Sequence, residues 1–349
     1  MTDSASRGRS KLGEECSTFY EERCDFCGDC LTRCAYVEYD KERAAKEIHA
    51  LIDGKEAPIL SSCITCYACN EYCPQEARPF DLILERMEQY HSFPASPEMV
   101  ADQEQFFTPG SPIKLEETGD RVMSACVFGN TEAELFQGRL FEGLPMLKGR
   151  HFFCFILFDH LGAGSITKKH IQGYVNSLAA SGAKEVVLFH DDCYGALVDT
   201  APQIGVKVPF RPVHIVEYLQ KYLESHKDEL RPLNLRVAYQ RPCASRLSPG
   251  KEPAIDSIFE MIGVERVERR YDREGALCCS GAIAQFDPER AASLRARNLD
   301  DAETADAQAM CYLCPMCRRV LAADAQERGL KGYHIIELAR MSLGELPRP

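Results

Sequence analysis

Two short cysteine runs near the N-terminus have the residue type and spacing of a metal-binding site. They read CDFCGDCLTRC from residue 24 and CITCYACNEYCP from residue 63, and both follow the pattern C-x2-C-x2-C-x3-C. Three thiolates spaced in this way can wrap a loop around one face of a cubane cluster, and a distant cysteine then completes the site. Structural zinc is the alternative, but zinc takes four thiolates in CxxC pairs and needs no third tandem CxxC. The spacing predicts two [4Fe–4S] clusters.

The doubled run resembles that of bacterial two-cluster ferredoxins, in which the fourth cysteine of each run binds the other cluster. The resemblance implies one cluster on Cys24, Cys27, Cys30 and Cys73, and another on Cys63, Cys66, Cys69 and Cys34. The segment between the runs contains the helical stretch EYDKERAAKEIHALIDGK, and a second helical pattern, RPFDLILERMEQY, follows Pro74. With these helices, the region is similar to the α-helical ferredoxin domain of respiratory iron–sulfur subunits.

A second group of cysteines lies in the C-terminal third of the chain and is built around an adjacent pair. Its members are Cys243, Cys278, Cys279, Cys314 and Cys317, in the pattern C-x34-CC-x34-C-x2-C. This pattern resembles the CCG domain of heterodisulfide reductase catalytic subunits, whose five cysteines hold a non-cubane [4Fe–4S] cluster or a related Fe–S site. The resemblance implies that these five are ligands and that Cys278 and Cys279 are catalytic. Zinc and a free redox dithiol are the alternatives.

Small residues follow the pair. Gly281 is expected to let the backbone approach the cluster closely, although Ser280 stands where the family has glycine. Cys311 is surplus to the pattern and is expected to be a buried thiol near the site.

The elements that must position these cysteines alternate between strand and helix signals after residue 118. RVMSACVF, HFFCFILF (His151 to Phe158), KEVVLFH and LRVAYQ are typical of strands, and helical stretches such as IVEYLQKYLESHKDEL lie between them. This alternation predicts a parallel sheet covered by helices. Asp287 and Pro288 predict the start of a further helix.

A weak internal repeat predicts two related α/β halves, residues 119–230 and 231–345. In the first half, Cys126 and Cys193 stand near the outer ligand positions, whereas Ile156 and Leu157 fall at the pair and Ala196 falls at the last position. Cys154 is nearby but alone. The first half is therefore predicted to be a scaffold that has lost its cluster. His190, His214 and His334 are expected to be packed side chains, with His190 or His214 as a proton donor the less favoured interpretation.

The fold class expected from these signals is α+β and multidomain. Residues 1–20 are expected to form a disordered tail, 21–95 an α-helical two-[4Fe–4S] ferredoxin domain and 96–118 a linker rich in Pro, Ser and acidic residues. The two α/β halves follow, as a pseudo-duplicated CCG domain of which only residues 231–345 are intact.

The charge and hydrophobicity of the sequence limit the kinds of partner that the protein can bind. A net charge of −12 over 349 residues argues against nucleic-acid binding, which needs a basic surface. The most apolar run, HFFCFILF, is far shorter than the ~20 residues that span a bilayer, and no signal peptide is visible. We expect a cytoplasmic protein, with a peripheral position on a membrane complex as the alternative. Eighteen cysteines in a reducing compartment indicate metal or redox chemistry and, by extension, an anaerobic host.

The resemblance covers nearly the whole chain and includes the heterodisulfide reductase D-type subunit. It extends to the iron–sulfur subunits of glycolate oxidase and glycerol-3-phosphate dehydrogenase and to class II benzoyl-CoA reductase electron-supply subunits. It implies an iron–sulfur oxidoreductase subunit that passes electrons between two cubanes and the CCG site. The alternative is a non-catalytic electron-transfer subunit that serves a flavoprotein, a quinone-linked membrane subunit or an acyl-CoA reductase. Because the chain has no G-x-G-x-x-G fingerprint, a partner must supply flavin or NAD.

Overall fold

Short helices alternate with the two cysteine runs in the N-terminal region of a computed structural model, which describes residues 17–116 and 118–349. These helices are α1 (Asp29–Thr32), α2 (Lys41–Ile52), α3 (Ile59–Ser62), α4 (Ala68–Tyr72) and α5 (Pro79–Tyr90). Both predicted helices are present, as α2 and α5. Helix α2 begins after Asp40, whose carboxylate accepts the N–H of Arg43 at 2.8 Å. Helix α5 buries Leu82, Ile83 and Met87, the face that periodicity predicts.

The segments predicted as tail and linker contain ordered structure. The tail prediction for residues 1–16 lies outside the described residues, whereas at its end the Tyr20 N–H donates to the Ala77 carbonyl at 3.0 Å. Within residues 96–118, helix α6 (Pro97–Phe107) is capped by Ser96 and buries none of its residues. Arg150 Nη1 donates to the Phe106 carbonyl at 2.7 Å, so the end of α6 is tied to the first α/β half.

Two parallel sheets of four strands form the rest of the structure. The first contains β1 (Arg121–Cys126), β2 (Met146–Lys148), β3 (Glu185–Leu188) and β4 (Arg211–His214); the second contains β5 (Leu235–Gln240), β6 (Val264–Arg266), β7 (Ala309–Tyr312) and β8 (Lys331–His334). Their strand orders are β2-β1-β3-β4 and β6-β5-β7-β8. The parallel pairing is confirmed, and the two sheets have the same topology.

Helices lie between the strands in both halves, and one more follows the last strand. They are α7 (Phe128–Thr131), α8 (Leu157–His160), α9 (Gly164–Ala179), α10 (Asp191–Gly195), α11 (Ala201–Gln203), α12 (Ile215–Ser225), α13 (Glu252–Met261), α14 (Pro288–Thr304), α15 (Pro315–Glu327) and α16 (Ile335–Ser342). Helix α14 begins as predicted, because the Asp287 side chain accepts the Arg290 N–H at 3.1 Å and Pro288 is its first residue.

The two faces of the sheets pack into different cores, as the alternation of side chains along a strand requires. Met123, Val187 and Val237 join a core shared by the two halves and by α12, α13 and α16. Val186 and Ala238 face a second core, which continues into the N-terminal helices and contains most of the buried cysteines. The cysteine-rich N-terminal region is thus packed directly against the α/β halves.

The prediction of a strand at His151 to Phe158 is wrong. Residues Arg150–Phe152 form a 3-10 helix, the chain then runs without strand pairing, and α8 follows at Leu157–His160. Phe155 has a left-handed backbone with φ of 62°. The apolar side chains are buried by ring contacts, with Phe153 stacked on Phe107 at 3.8 Å and Phe155 on His170 at 4.1 Å. An apolar run indicates burial, but it does not distinguish a strand from a packed loop.

Candidate metal centres

The first cysteine run closes around a cavity together with the last cysteine of the second run. Cys24, Cys27, Cys30 and Cys73 line this cavity with the apolar side chains of Phe26, Ile48 and Pro79. Left-handed backbone at Phe26 (φ 59°) and Gly28 (φ 77°) turns the loop so that its three thiols face inward. Burial raises the pKa of Cys30, and the neighbouring thiolates of Cys73 and Cys24 raise it further. The four thiols are therefore close neighbours.

The second run has the same backbone shape and gathers the last cysteine of the first run. Thr65 (φ 59°) and Tyr67 (φ 61°) occupy the positions of Phe26 and Gly28. Burial raises the pKa values of Cys63, Cys66 and Cys69, and the Cys34 thiolate adds to the effect at each of the three. Cys69 also interacts with Cys30, so the two groups are adjacent. Cys73 thus lies beside the first run and Cys34 beside the second, the proximity that the resemblance to two-cluster ferredoxins implies.

The five C-terminal cysteines meet beyond the carboxyl ends of the neighbouring strands β5 and β7. Cys243 begins a 3-10 helix (Cys243–Leu247) after β5, Cys314 is the N-cap of α15 and Cys317 lies in the first turn of that helix. The thiols interact in a continuous row, Cys243 with Cys278, Cys278 with Cys279, Cys279 with Cys317 and Cys317 with Cys314. Parallel strands bring these residues together because their carboxyl ends share one edge of the sheet.

The turn after the cysteine pair has features that suit a bound group. Ser280 has φ of 64° where the family has glycine, and its N–H lies 3.4 Å from Cys278 Sγ. Its buried hydroxyl oxygen has no hydrogen-bond partner among the described protein atoms. A Cβ on Gly281 would lie 3.5 Å from Cys279 Sγ, so the backbone passes beside this thiol. A set of soft thiolates around an unpaired hydroxyl fits an iron–sulfur group.

Two histidines flank the row of thiols. His160 Nε2 lies 3.7 Å from Cys243 Sγ, and His190 Nε2 lies 3.0 Å from Cys314 Sγ at the other end. A hydrogen bond from Cys278 lowers the pKa of Cys243 to about 6, with a further contribution from the charge of His160. The thiol of Cys317 and His190 similarly lower the pKa of Cys314 to about 7. Both end thiols are held toward the thiolate form that binds metals.

The histidines themselves are polarised by these thiolates. Burial alone would lower the pKa of His160, but the Cys243 thiolate raises it to about 10. For His190, the charges of Asp192 and Cys314 outweigh burial and raise the pKa well above its ordinary value. Sequence reasoning missed His160, because nothing in its spacing connects it with cysteines that are remote along the chain. His214 and His334 are packed as expected, and each caps the helix that follows it.

The first α/β half gathers three thiols at the equivalent place. The thiol of Cys193 lies against those of Cys126 and Cys154. Strand pairing aligns Leu188 with His214 and Tyr312 with His334 in the two sheets. Counting from these pairs, His190 is equivalent to Cys314, and Cys193 to Cys317.

This register changes the assignment made from sequence. Ala196 is not the last ligand position, because Cys193 occupies it. Phe155 and Ser280 both have left-handed backbone, and we take them as equivalent positions of the two halves. Phe153 and Cys154 then stand where the second half has its cysteine pair, and Ile156 and Leu157 do not. Cys311 is a buried thiol, as expected, but it faces the core shared by the two sheets.

Direct contacts connect the two N-terminal cysteine runs with the C-terminal site. The Cys278 N–H donates to the Tyr36 hydroxyl at 2.8 Å, and Tyr72 donates to the Glu274 carbonyl at 2.8 Å. The carboxylate of Glu71 accepts hydrogen bonds from both Arg241 and Arg246, whose side chains are 1% and 3% exposed. These contacts fix the N-terminal region against the loop that carries Cys278.

The C-terminal cysteine site lies in a region that matches a known family of cysteine-rich domains. Residues 237–322 match the family model described as a cysteine-rich domain, CCG. This match includes all five cysteines of the C-terminal site.

Much of the chain is similar to the D subunits of heterodisulfide reductases. It is 24% identical over 319 residues to the D subunit of the dihydromethanophenazine:CoB–CoM heterodisulfide reductase of Methanosarcina barkeri, covering 82% of this chain and 78% of that protein. The corresponding protein of Methanosarcina mazei is 25% identical over 66% of this chain and 61% of its own length. The B subunit of the fumarate reductase (CoM/CoB) of Methanothermobacter marburgensis is 26% identical over 49% of this chain and 35% of its own length.

A solved structure of a hypothetical protein from Helicobacter pylori has the same fold, with a TM-score of 0.57 and 10% identity over 80% of this chain. The chain spans 60% of that structure. No helix within residues 17–116 and 118–349 is long and apolar enough to cross a membrane.

Proposed function

We propose that this chain is an iron–sulfur oxidoreductase subunit of a larger redox complex, of heterodisulfide reductase type. Three clusters would supply one-electron transfer: two [4Fe–4S] cubanes and a CCG-type, non-cubane Fe–S cluster. The ligands are those that the sequence suggested: Cys24, Cys27, Cys30 and Cys73; Cys63, Cys66, Cys69 and Cys34; and Cys243, Cys278, Cys279, Cys314 and Cys317. Among the residues that the structure describes, no three His, Cys, Asp or Glu side chains could hold a single metal ion. The proposal rests instead on donor type, spacing and proximity.

The observation that carries the proposal is the contact between the second cysteine group and the CCG site. Tyr36, two residues after Cys34, bonds the backbone of Cys278, and the thiolate of Cys243 influences Cys66. The first cysteine group, which contains Cys24 and Cys73, lies next to the second group, which contains Cys63 and Cys66. The second group in turn lies next to the five-cysteine site. This order supports a chain of three redox sites, with the group of Cys24 and Cys73 farthest from the CCG site.

The substrate class that we infer is a disulfide, whose reduction takes two electrons and two protons and yields two thiols. The relatives whose names describe the D subunit of a heterodisulfide reductase support this inference, and we assign Cys278 and Cys279 as the catalytic residues. The half at residues 119–230 is proposed to be a scaffold, since Phe153 and His190 stand at positions that are cysteines in the second half. The electrons would come from a flavin-bearing or Fe–S partner subunit in the cytoplasm or at a membrane.

Metal analysis of anaerobically purified protein tests the proposal. We expect about 12 iron atoms per wild-type chain, at four per cluster, and about 8 in the Cys278→Ala/Cys279→Ala variant, with one EPR signal lost. Cys311→Ala is the control, because it removes a buried thiol outside the row and should keep about 12. About 8 iron atoms in wild type and variant alike would contradict a third cluster.

Disulfide reduction with an artificial electron donor separates the catalytic function from the alternative of a non-catalytic electron-transfer subunit. Activity that disappears in the Cys278→Ala/Cys279→Ala variant supports catalysis at the pair. An inactive chain that contains all three clusters favours the non-catalytic subunit.

A further inference from the structure

His160 connects the second cysteine run with the CCG site through both of its ring nitrogens. Nδ1 lies 2.8 Å from the carbonyl oxygen of Thr65, which stands between Cys63 and Cys66. Nε2 lies 3.7 Å from Cys243 Sγ, within the reach of an N–H···S contact. Thr65 and Cys243 are otherwise remote along the chain, so this one side chain forms a short polar bridge between two groups of cysteines.

The surroundings hold the ring in this orientation. His160 ends the short helix α8 and packs edge-on against Tyr67, with ring centroids 5.5 Å apart. The preceding residue, Asp159, accepts hydrogen bonds from Tyr67 at 2.8 Å and from Thr167 at 2.6 Å. Because Tyr67 lies between Cys66 and Cys69, the helix and the cysteine loop are fastened together on both sides of the ring.

The chemistry of the two contacts determines what the ring does. A carbonyl oxygen can only accept, so Nδ1 carries a hydrogen and donates to Thr65. A thiolate that is bound to iron has no proton to give, so the contact with Cys243 is attractive when Nε2 also carries a hydrogen. A charged donor makes a stronger hydrogen bond than a neutral one, and hydrogen bonds to ligand sulfur are among the factors that set cluster potentials.

We propose that His160 is a positioning residue that donates a hydrogen bond to the Cys243 sulfur, raises the reduction potential of the CCG site and holds that site against the Cys63–Cys66 loop. A donor at ligand sulfur stabilises the reduced form more than the oxidised form, because reduction adds negative charge to the group. Raising the potential of the CCG site favours electron flow toward it from the neighbouring cysteine group. The inference rests on the proposed function.

Three substitutions separate the two contacts of the ring. His160→Gln places an amide near Nε2 and keeps a donor for Cys243. His160→Asn places its amide near Nδ1 and keeps only the contact with Thr65. His160→Phe keeps the ring and removes both contacts, and His226→Phe, a histidine stacked on Tyr222 away from the cysteines, is the matched control.

EPR-monitored redox titration of the full protein gives a readout that is independent of turnover. We expect the reduction potential of the CCG site to be lower in His160→Phe and His160→Asn than in the wild type. The expected decrease is about 59 mV, which corresponds to a tenfold change in the equilibrium constant of a one-electron reduction. His160→Gln should retain most of the wild-type value, and the cubane that is farther from the site should not change. Equal potentials in the Asn and Gln variants, or a CCG potential that none of the substitutions moves, would overturn the inference.

Iron content distinguishes failure of the His160 inference from failure of the proposed function. A wild-type chain that binds only about 8 iron atoms has no CCG cluster to tune, and then the proposed function itself is wrong. A wild-type chain with about 12 iron atoms and a CCG potential insensitive to residue 160 leaves the proposed function intact and removes only the role of His160.

Discussion

The hydroxyl of Tyr36 accepts a 2.8 Å hydrogen bond from the backbone N–H of Cys278, a residue 242 positions away along the chain. This bond places the N-terminal cysteine runs beside the adjacent cysteine pair. Tyr36→Phe removes the acceptor and leaves the N–H without its partner, at an expected cost of about 1–3 kcal/mol in the free energy of unfolding. Thermal unfolding of the metal-loaded protein checks this, with Tyr333→Phe on strand β8 as the control. An unchanged melting temperature in Tyr36→Phe would contradict a structural role for the bond.

The proposed exchange of the fourth cysteines between the runs predicts which double variants lose the same cluster. Cys24 and Cys73 belong to one group, so Cys24→Ser/Cys73→Ser should lose about 4 iron atoms, the content of one [4Fe–4S] site. Cys24→Ser/Cys34→Ser should lose about 8, because these cysteines belong to different groups. Iron analysis distinguishes the two, and the reverse result would mean that each run binds its own cluster.

Glu71 neutralises two buried guanidinium groups where the N-terminal region meets the CCG half. Glu71→Gln leaves the charges of Arg241 and Arg246 without this partner, and we expect a loss of about 3–5 kcal/mol in stability. Glu76→Gln is the matched control, since its exposed contact with Arg23 should contribute about 0–1 kcal/mol. Urea unfolding measures both variants, and similar midpoints would show that the buried cluster does not secure the interface.

The pKa of Cys243 predicts its reactivity in the metal-free chain. Because this pKa is lowered to about 6, the thiolate predominates at pH 7, and alkylation by iodoacetamide should rise through about pH 6. His160→Phe removes a positive charge beside the sulfur and should move the midpoint upward. Mass spectrometry of each cysteine gives the rates, with Cys311, whose pKa burial raises, as the slow reference. A common midpoint for all thiols would contradict the prediction.

Sequence reasoning worked best where chemistry depends on local spacing. The two C-x2-C-x2-C-x3-C runs have matching backbone turns in the structure, and helices α2, α5 and α14 lie where capping and periodicity place them. It failed at HFFCFILF, because a continuous apolar run is equally compatible with a strand and with a buried loop. It also misaligned the first half, since the register of β3 and β4, rather than residue counting, determines that His190 is equivalent to Cys314.

The sequence by itself determined the donor atoms, their spacing and the division into a cysteine-rich helical region and two α/β halves. These properties are local, because they depend on residue type and on distances of a few positions along the chain. Only the tertiary structure decided that Tyr36 contacts Cys278 and that His160 lies between Thr65 and Cys243. Such contacts depend on how helices and sheets pack, since packing brings together side chains that no pattern along the chain connects.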